Sequence, residues 1–177
     1  MAVNNLTQLC DEQVKRKEKS LKMPCRGLSP EHLQGRFVGV YIGSSYAESE
    51  RTRCYTDFKN GNGVLGGSRA LFANRISYFL DLKGPSLSLD QACCSSALAL
   101  EHACKALRSG EVEAAIVGGF NLCLHPQAMI HYGRVIKLSE DNATRSFDAC
   151  ADGCVSSDAI SVLFLQKAKD ALSYALP

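Results

Sequence analysis

The order of apolar and polar positions predicts where the chain folds. Residues 1 to about 35 are polar, charged and broken by Pro24, Gly27 and Pro30, which predicts a loose leader with one short helical turn and no chemistry of its own. A buried strand is expected from Phe37, where FVGVYIG concentrates β-branched and aromatic residues ahead of Gly43, Ser44 and Ser45. From Val64 to Leu80, Leu65, Phe72, Ile76 and Phe79 recur at helical spacing and form one stripe, which Lys83, Gly84 and Pro85 terminate. SLSLD at 86–90 alternates with period two and predicts a short strand with Leu87 and Leu89 on one face. A second helix follows, with Ala97, Leu100, Cys104 and Leu107 on its buried face, Arg108 in the last turn and Gly110 as its stop. Two more buried strands are expected, Ala114–Val117 ending at Gly118 and Gly119, and Ala159–Leu165, the latter running into a helical tail from Gln166. Strands alternating with helices predict an α/β fold with a largely parallel sheet.

Composition narrows the function classes. The 177 residues suit one domain or a large part of one. With 46% hydrophobic and 21% charged residues, a packed core is expected rather than disorder. Twenty Lys and Arg against eighteen Asp and Glu leave a net charge of +2, and the basic residues Lys15, Arg16, Lys17, Lys19 and Lys22 are diluted by Asp11, Glu12 and Glu18. Nucleic acid is therefore not an expected partner. No stretch reaches the roughly 18 apolar residues of a membrane span, and no secretory signal opens the chain, so a cytoplasmic protein is expected. Nine cysteines, an odd number without a regular spacing, read as reduced thiols. Cys150 and Cys154 have no second pair beside them, so small buried packing residues are expected there rather than zinc ligands.

Two segments merit a chemical reading. Gly61, Gly63 and Gly66 match GxGxxG, but the preceding TDFKN is polar where a dinucleotide site requires an apolar strand. A glycine-rich loop is expected instead. The second segment, Asp90, Gln91, Ala92, Cys93, Cys94, Ser95 and Ser96, lies where a strand passes into an amphipathic helix. Unpaired amides and the dipole at a helix start favour a thiolate, and the same amides can receive the oxyanion of an acyl intermediate. Cys93 sits at the junction; Cys94 points about 100° away around the helix.

GPSLSLDQACCSSALALEHACKALRSGEVEAAIVGGFNLCLHP resembles the active-cysteine segment of β-ketoacyl synthases, with its GPS stretch, DTACSSS turn, LRSGE helix end and GG–Asn strand. ANRISYFLDLKGP, LSEDNATRSFDACADG and LFLQKAKDA match the same family in order. The likeness runs from about Leu28 to Ala171 and is strongest to the ketosynthase domains of animal and insect fatty acid synthases. It implies a thiolase-like αβαβα layered fold, represented mainly by its N-terminal half over 28–177 and preceded by an unmatched leader over 1–27. It further implies Cys93 as the nucleophile, supported by Asp90, Gln91, Ala92, Cys94, Ser95 and Ser96, with Gly118 and Gly119 serving backbone packing. Acyl transfer to that cysteine and decarboxylative condensation with a malonyl thioester would be the reaction. No tightly bound cofactor or metal is implied. The substrates are acyl and malonyl thioesters on the phosphopantetheine of acyl carrier protein or coenzyme A. Family members form homodimers, commonly through the strand before the cysteine, which would place Leu87 and Leu89 near the boundary.

The family's two catalytic histidines stand in HGTG and NxGH settings, and neither motif is present. His32, His102, His125 and His131 match no catalytic motif and read as structural or surface residues. Gln91 replaces the usual Thr and Cys94 the usual Ser, while Cys154, Ser156 and Asp158 stand for Tyr, Arg and Glu. The loss of Arg at Ser156 is expected to leave Asp158 without its charge partner. A polyketide-type synthase and a non-catalytic partial domain, acting as an interaction module or inactive paralogue, are the alternative readings.

Overall fold

The computed structural model describes residues 29–45 and 66–175. The leader expected over 1–27, Gly61 and Gly63, and the predicted helix start at Val64 lie outside the described residues. A 3-10 turn at Pro30–Leu33 precedes β1 (Val38–Gly43), α1 (Leu71–Phe79), β2 (Ser86–Leu89), α2 (Ser95–Ser109), β3 (Ala114–Asn121), α3 (Pro126–Val135), β4 (Ala159–Gln166) and α4 (Ala168–Ala175).

The strands form one sheet in the order β2-β1-β3-β4. β1 is parallel to both neighbours, with Gly43 opposite Leu89 on one side and Gly119 on the other. Every β1 residue is buried, as its continuous apolar run requires. One face of the sheet carries α1: Phe72 and Ala73 pack with Val38, Val40, Ile42 and Leu82. Phe72 also meets Phe120 edge-on, with ring centroids 5.3 Å apart. The opposite face carries α2, whose Ala99, Ala103, Ala106 and Leu107 pack with Tyr41, Ala115 and Val117. The two crossover helices thus cover opposite faces, and the chain is doubly wound about β1.

Four sequence expectations need correction. The buried stripe of α2 is Ser95, Ala99, Ala103, Ala106 and Leu107; Ala97 is exposed, and Leu100 and Cys104 are only half-buried. Small side chains win the contact because Tyr41 already fills the sheet surface, and alanines let the helix axis come close. Phe79, expected in the α1 stripe, is 66% exposed, because the helical phase turns Ile76 and Leu80 to the core instead. β3 does not end at its glycines but continues through Gly118 and Gly119 to Asn121. β4 is neither parallel nor buried: it pairs antiparallel with β3, and Ile160, Val162, Leu163 and Phe164 are exposed. An apolar run identifies a strand without saying what covers it, and the helices here sit over β1–β3. Gly110 does stop α2, at φ 81°, in the left-handed region that glycine adopts without a Cβ clash.

Candidate active site

The segment from Asp90 to Ser96 crosses from the carboxyl end of β2 onto the first turn of α2. Cys94 is the N-cap and the helix starts at Ser95, so Cys93 stands one residue ahead of the cap. Cys93 and Cys94 are both exposed, and both are free thiols. Cys150 is exposed and Cys154 half-buried with its thiol directed to the Lys137 carbonyl at 3.7 Å; neither is the buried packing residue expected from sequence, because the segment that carries them lies outside the sheet core.

The turn is held at several points. Ala92 adopts φ 48°, a left-handed conformation that a residue with a Cβ takes only when its surroundings demand it. The demand is visible. The Ala92 N–H donates to Asp90 Oδ1 at 3.1 Å, and Asp90 Oδ2 receives Arg69 Nη1 at 2.6 Å. Ser95, buried to 3% exposure, accepts from the Gln91 N–H at 2.9 Å and donates its hydroxyl to the Ala92 carbonyl at 2.6 Å. Cys94 N–H donates to the Gln91 carbonyl at 3.0 Å and Ser95 N–H to the Ala92 carbonyl at 3.1 Å. Those two amides close the turn, so of the helix-start amides expected to receive an oxyanion these two are engaged. The tight turn consumes them in i to i+3 bonds.

Beneath the turn the sheet is bare. A Cβ on Gly43 would stand 2.5 Å from the Ser95 carbonyl carbon and oxygen, and one on Gly119 would stand 2.1 Å from Ser96 Oγ. These two glycines, paired in register, let the start of α2 rest directly on the carboxyl ends of β1 and β3. Gly119 therefore has the packing role expected of it. A Cβ on Gly118 would meet the flexible end of Ile42 at 2.8 Å and lie in ordinary contact with the Ser161 carbonyl at 3.9 Å. The carboxyl edge of parallel strands beside a reversal in strand order is where open α/β sheets bind ligands. A cleft lined by Arg36, Glu113, Lys167 and Asp170 lies at the opposite, amino-terminal end of β1 and β3, away from the cysteines.

Residues 122–158 leave β3 and return to β4 at the Cys93 end. Within them Asp141 receives both Arg145 and Ser139, and Arg145 also faces Asp152 Oδ1 at 3.6 Å. The Arg145 guanidinium, with Ser139 second, holds the Asp141 carboxyl below the usual carboxylate range. Asp158 is exposed and accepts the Cys123 N–H at 2.5 Å, while Ser156 Oγ lies 3.3 Å from Cys123 Sγ. Among the described residues Asp158 makes no ion pair, as the loss of Arg at Ser156 implies, and a backbone amide takes the place of the cation. His125 caps α3 by accepting the Gln127 N–H at 3.2 Å, a structural role. Arg69 and Gly43 were missed from the sequence; GSRALFANR gave no sign that its first arginine reaches the cysteine turn.

A sequence model described as the β-ketoacyl synthase, N-terminal domain matches residues 22–171. The chain belongs to the β-ketoacyl synthase family. It is 46% identical to a fatty acid synthase of Anser anser anser over 142 residues, covering 80% of this chain and 40% of that protein. It is 36% identical to a polyketide synthase-nonribosomal peptide synthetase of Aspergillus clavatus over 154 residues, 83% of this chain and 4% of that protein. Among solved structures, the ketosynthase from module 6 of the bacillaene synthase of Bacillus subtilis 168 superposes with a TM-score of 0.70 at 34% identity, over 84% of this chain and 24% of that one. The chain thus spans less than half the length of these relatives. Its mixed α/β sheet is the N-terminal part of the thiolase-like ketosynthase fold.

Proposed function

We propose that this β-ketoacyl synthase segment carries an acyl chain on Cys93 during decarboxylative condensation in fatty acid biosynthesis. One observation carries the reading: an exposed thiol, set one residue before the cap of α2 and above the carboxyl ends of β1 and β3, in a turn whose strained Ala92 is held by Asp90 and Ser95. In the reaction, Cys93 sulfur attacks the thioester carbonyl, the C–S bond to phosphopantetheine breaks, and the carrier thiol leaves with a proton. A malonyl thioester then loses carbon dioxide, its carbanion attacks the acyl carbon, and the bond to sulfur breaks to release Cys93 as the thiolate. Gln91, Cys94 and Ser96 complete the turn around it.

The 46% identity to a fatty acid synthase, against 36% to the polyketide protein, favours fatty acid over polyketide chemistry. The partner is an acyl carrier protein or carrier domain, and no resident cofactor takes part in the scheme. Among the described residues β2 is the outermost strand on its side of the sheet, with Leu87 40% exposed, which supports a homodimer through that edge. Free cysteines among the described residues accord with a cytoplasmic location. Among those residues no helix is long and apolar enough to cross a membrane.

The test is iodoacetamide labelling near neutral pH with peptide mapping, followed by transfer from a radiolabelled acyl-coenzyme A. Cys93 should label first and carry the acyl group, and Cys93→Ala should abolish transfer. Preferential labelling of another cysteine overturns the assignment. With neither HGTG nor NxGH present, the chain by itself should acylate but not condense; a chain-extended product from the purified protein would contradict that.

A further inference from the structure

We propose that Arg69 is a positioning residue for Cys93, acting through Asp90; this rests on the reading of Cys93 as the nucleophile. Arg69 lies just before α1, on the face of the sheet opposite α2, and nothing in its sequence context marks it. The structure joins it to the cysteine in three steps. Arg69 Nη1 binds Asp90 Oδ2 at 2.6 Å. The other oxygen of the same carboxylate accepts the Ala92 N–H at 3.1 Å. Ala92, at φ 48°, is bonded directly to Cys93.

A carboxylate with one oxygen in a charge-assisted bond cannot rotate without giving that bond up, so Arg69 fixes the plane in which Asp90 presents its second oxygen. Without Arg69, the carboxylate turns toward water and the Ala92 N–H loses its acceptor. The left-handed Ala92 is strained and persists only while its surroundings over-determine it. Ser95 holds the Ala92 carbonyl independently. Loss of Arg69 therefore loosens the turn without unravelling it, and Cys93 samples orientations other than the reactive one.

The arginine and aspartate are partly exposed, at 39% and 46%, so the effect is modest: a rate change of about threefold to fivefold, the range of an exposed ion pair. Only one guanidinium nitrogen makes the Asp90 contact, so a lysine should substitute for it.

The experiment measures second-order carbamidomethylation of Cys93 by iodoacetamide across pH in the whole 177-residue chain. Exposed Cys150 serves as the internal reference. Arg69→Ala and Asp90→Ala should each slow Cys93 by about threefold to fivefold, and Arg69→Lys should recover most of the loss. The double variant should be no slower than Asp90→Ala, because the arginine reaches the cysteine turn through that carboxylate. Cys150 should react equally in all of them. The inference is overturned if Arg69→Ala leaves Cys93 unchanged, if the two losses add, or if Cys150 shifts in parallel, which would mean general loosening. A wild-type chain in which Cys93 reacts no faster than Cys150 would instead strike the nucleophile assignment; a fast Cys93 indifferent to Arg69 strikes only this inference.

Discussion

The contact between α2 and the sheet at Gly43 can be tested by adding one methyl group. In Gly43→Ala the new Cβ would lie 2.5 Å from the Ser95 carbonyl carbon and oxygen and 2.6 Å from Ser96 nitrogen. Unstrained carbon contacts fall near 3.5–4.0 Å, so the helix start must move by about 1 Å. All three atoms are backbone, and no rotamer change relieves them. Overpacking of this kind costs about 1–3 kcal/mol, and the upper end applies because the neighbour is a helix terminus. The smaller unfolded-state entropy of alanine returns about 0.4–1 kcal/mol, leaving a net loss of about 2 kcal/mol. With a urea dependence of about 2 kcal/mol per molar for a chain of this size, the midpoint should fall by about 1 M. Gly119→Ala offers an internal contrast. Its Cβ meets side-chain atoms, Ser96 Oγ at 2.1 Å and Ser96 Cβ at 2.9 Å, so Ser96→Ala should restore about 1 kcal/mol in that background and nothing in Gly43→Ala. Urea unfolding of the four variants, read beside Cys93 labelling, decides the matter. An unchanged midpoint for Gly43→Ala, or equal rescue of both glycine variants by Ser96→Ala, would refute the close-contact argument.

Further outcomes follow from the caps and titrating groups. Gly110→Ala forces a Cβ into φ 81° and should cost about 1–2 kcal/mol, lowering the melting temperature by a few degrees; Gly110→Asn should recover part of this. The Asp141 carboxyl is held below its unfolded value first by Arg145 and then by Ser139. Its contribution is complete above about pH 4 and lost as pH falls through the folded value, so Asp141→Asn should flatten the acid limb of stability against pH. Burial, and secondarily repulsion from Glu111, raises the Tyr41 phenol. The folded chain then favours the protonated form, stability holds below about pH 10 and declines as pH rises toward the folded value, and Tyr41→Phe should remove that alkaline slope.

How far the residues alone specified this molecule varied with the kind of signal. β1 was legible because its apolar run is fully buried on both faces, and the end of α2 because Gly110 occupies a conformation that selects glycine. The cysteine turn was legible as a strand-to-helix junction, and Ser95 and Asp90 do hold it. The buried face of α2 was misread by about one residue, since Leu100 and Cys104 are larger than the alanines that touch the sheet; contact distance, not side-chain hydrophobicity, chose Ala99 and Ala103. Gly118 and Gly119 resembled a strand end because glycine weakens strands in isolation, yet Gly119 stays in the ladder so that Ser96 can lie against it. Arg69 and Asp90 are 21 residues apart, and no periodicity links a turn before one helix to the turn before the next. The same is true of Asp158 and the Cys123 amide, 35 residues apart. Such pairs are products of tertiary folding.

The antiparallel return of β4 beside β3, with Asn121 opposite Ala159, has an evolutionary consequence. Everything between those partners departs and arrives at one end of the sheet, the carboxyl end of β1 and β3. Insertions or substitutions in that excursion can remodel that end of the sheet while every strand pairing and both helix seats stay as they are. Divergence can therefore concentrate in one stretch of sequence without a toll on the scaffold.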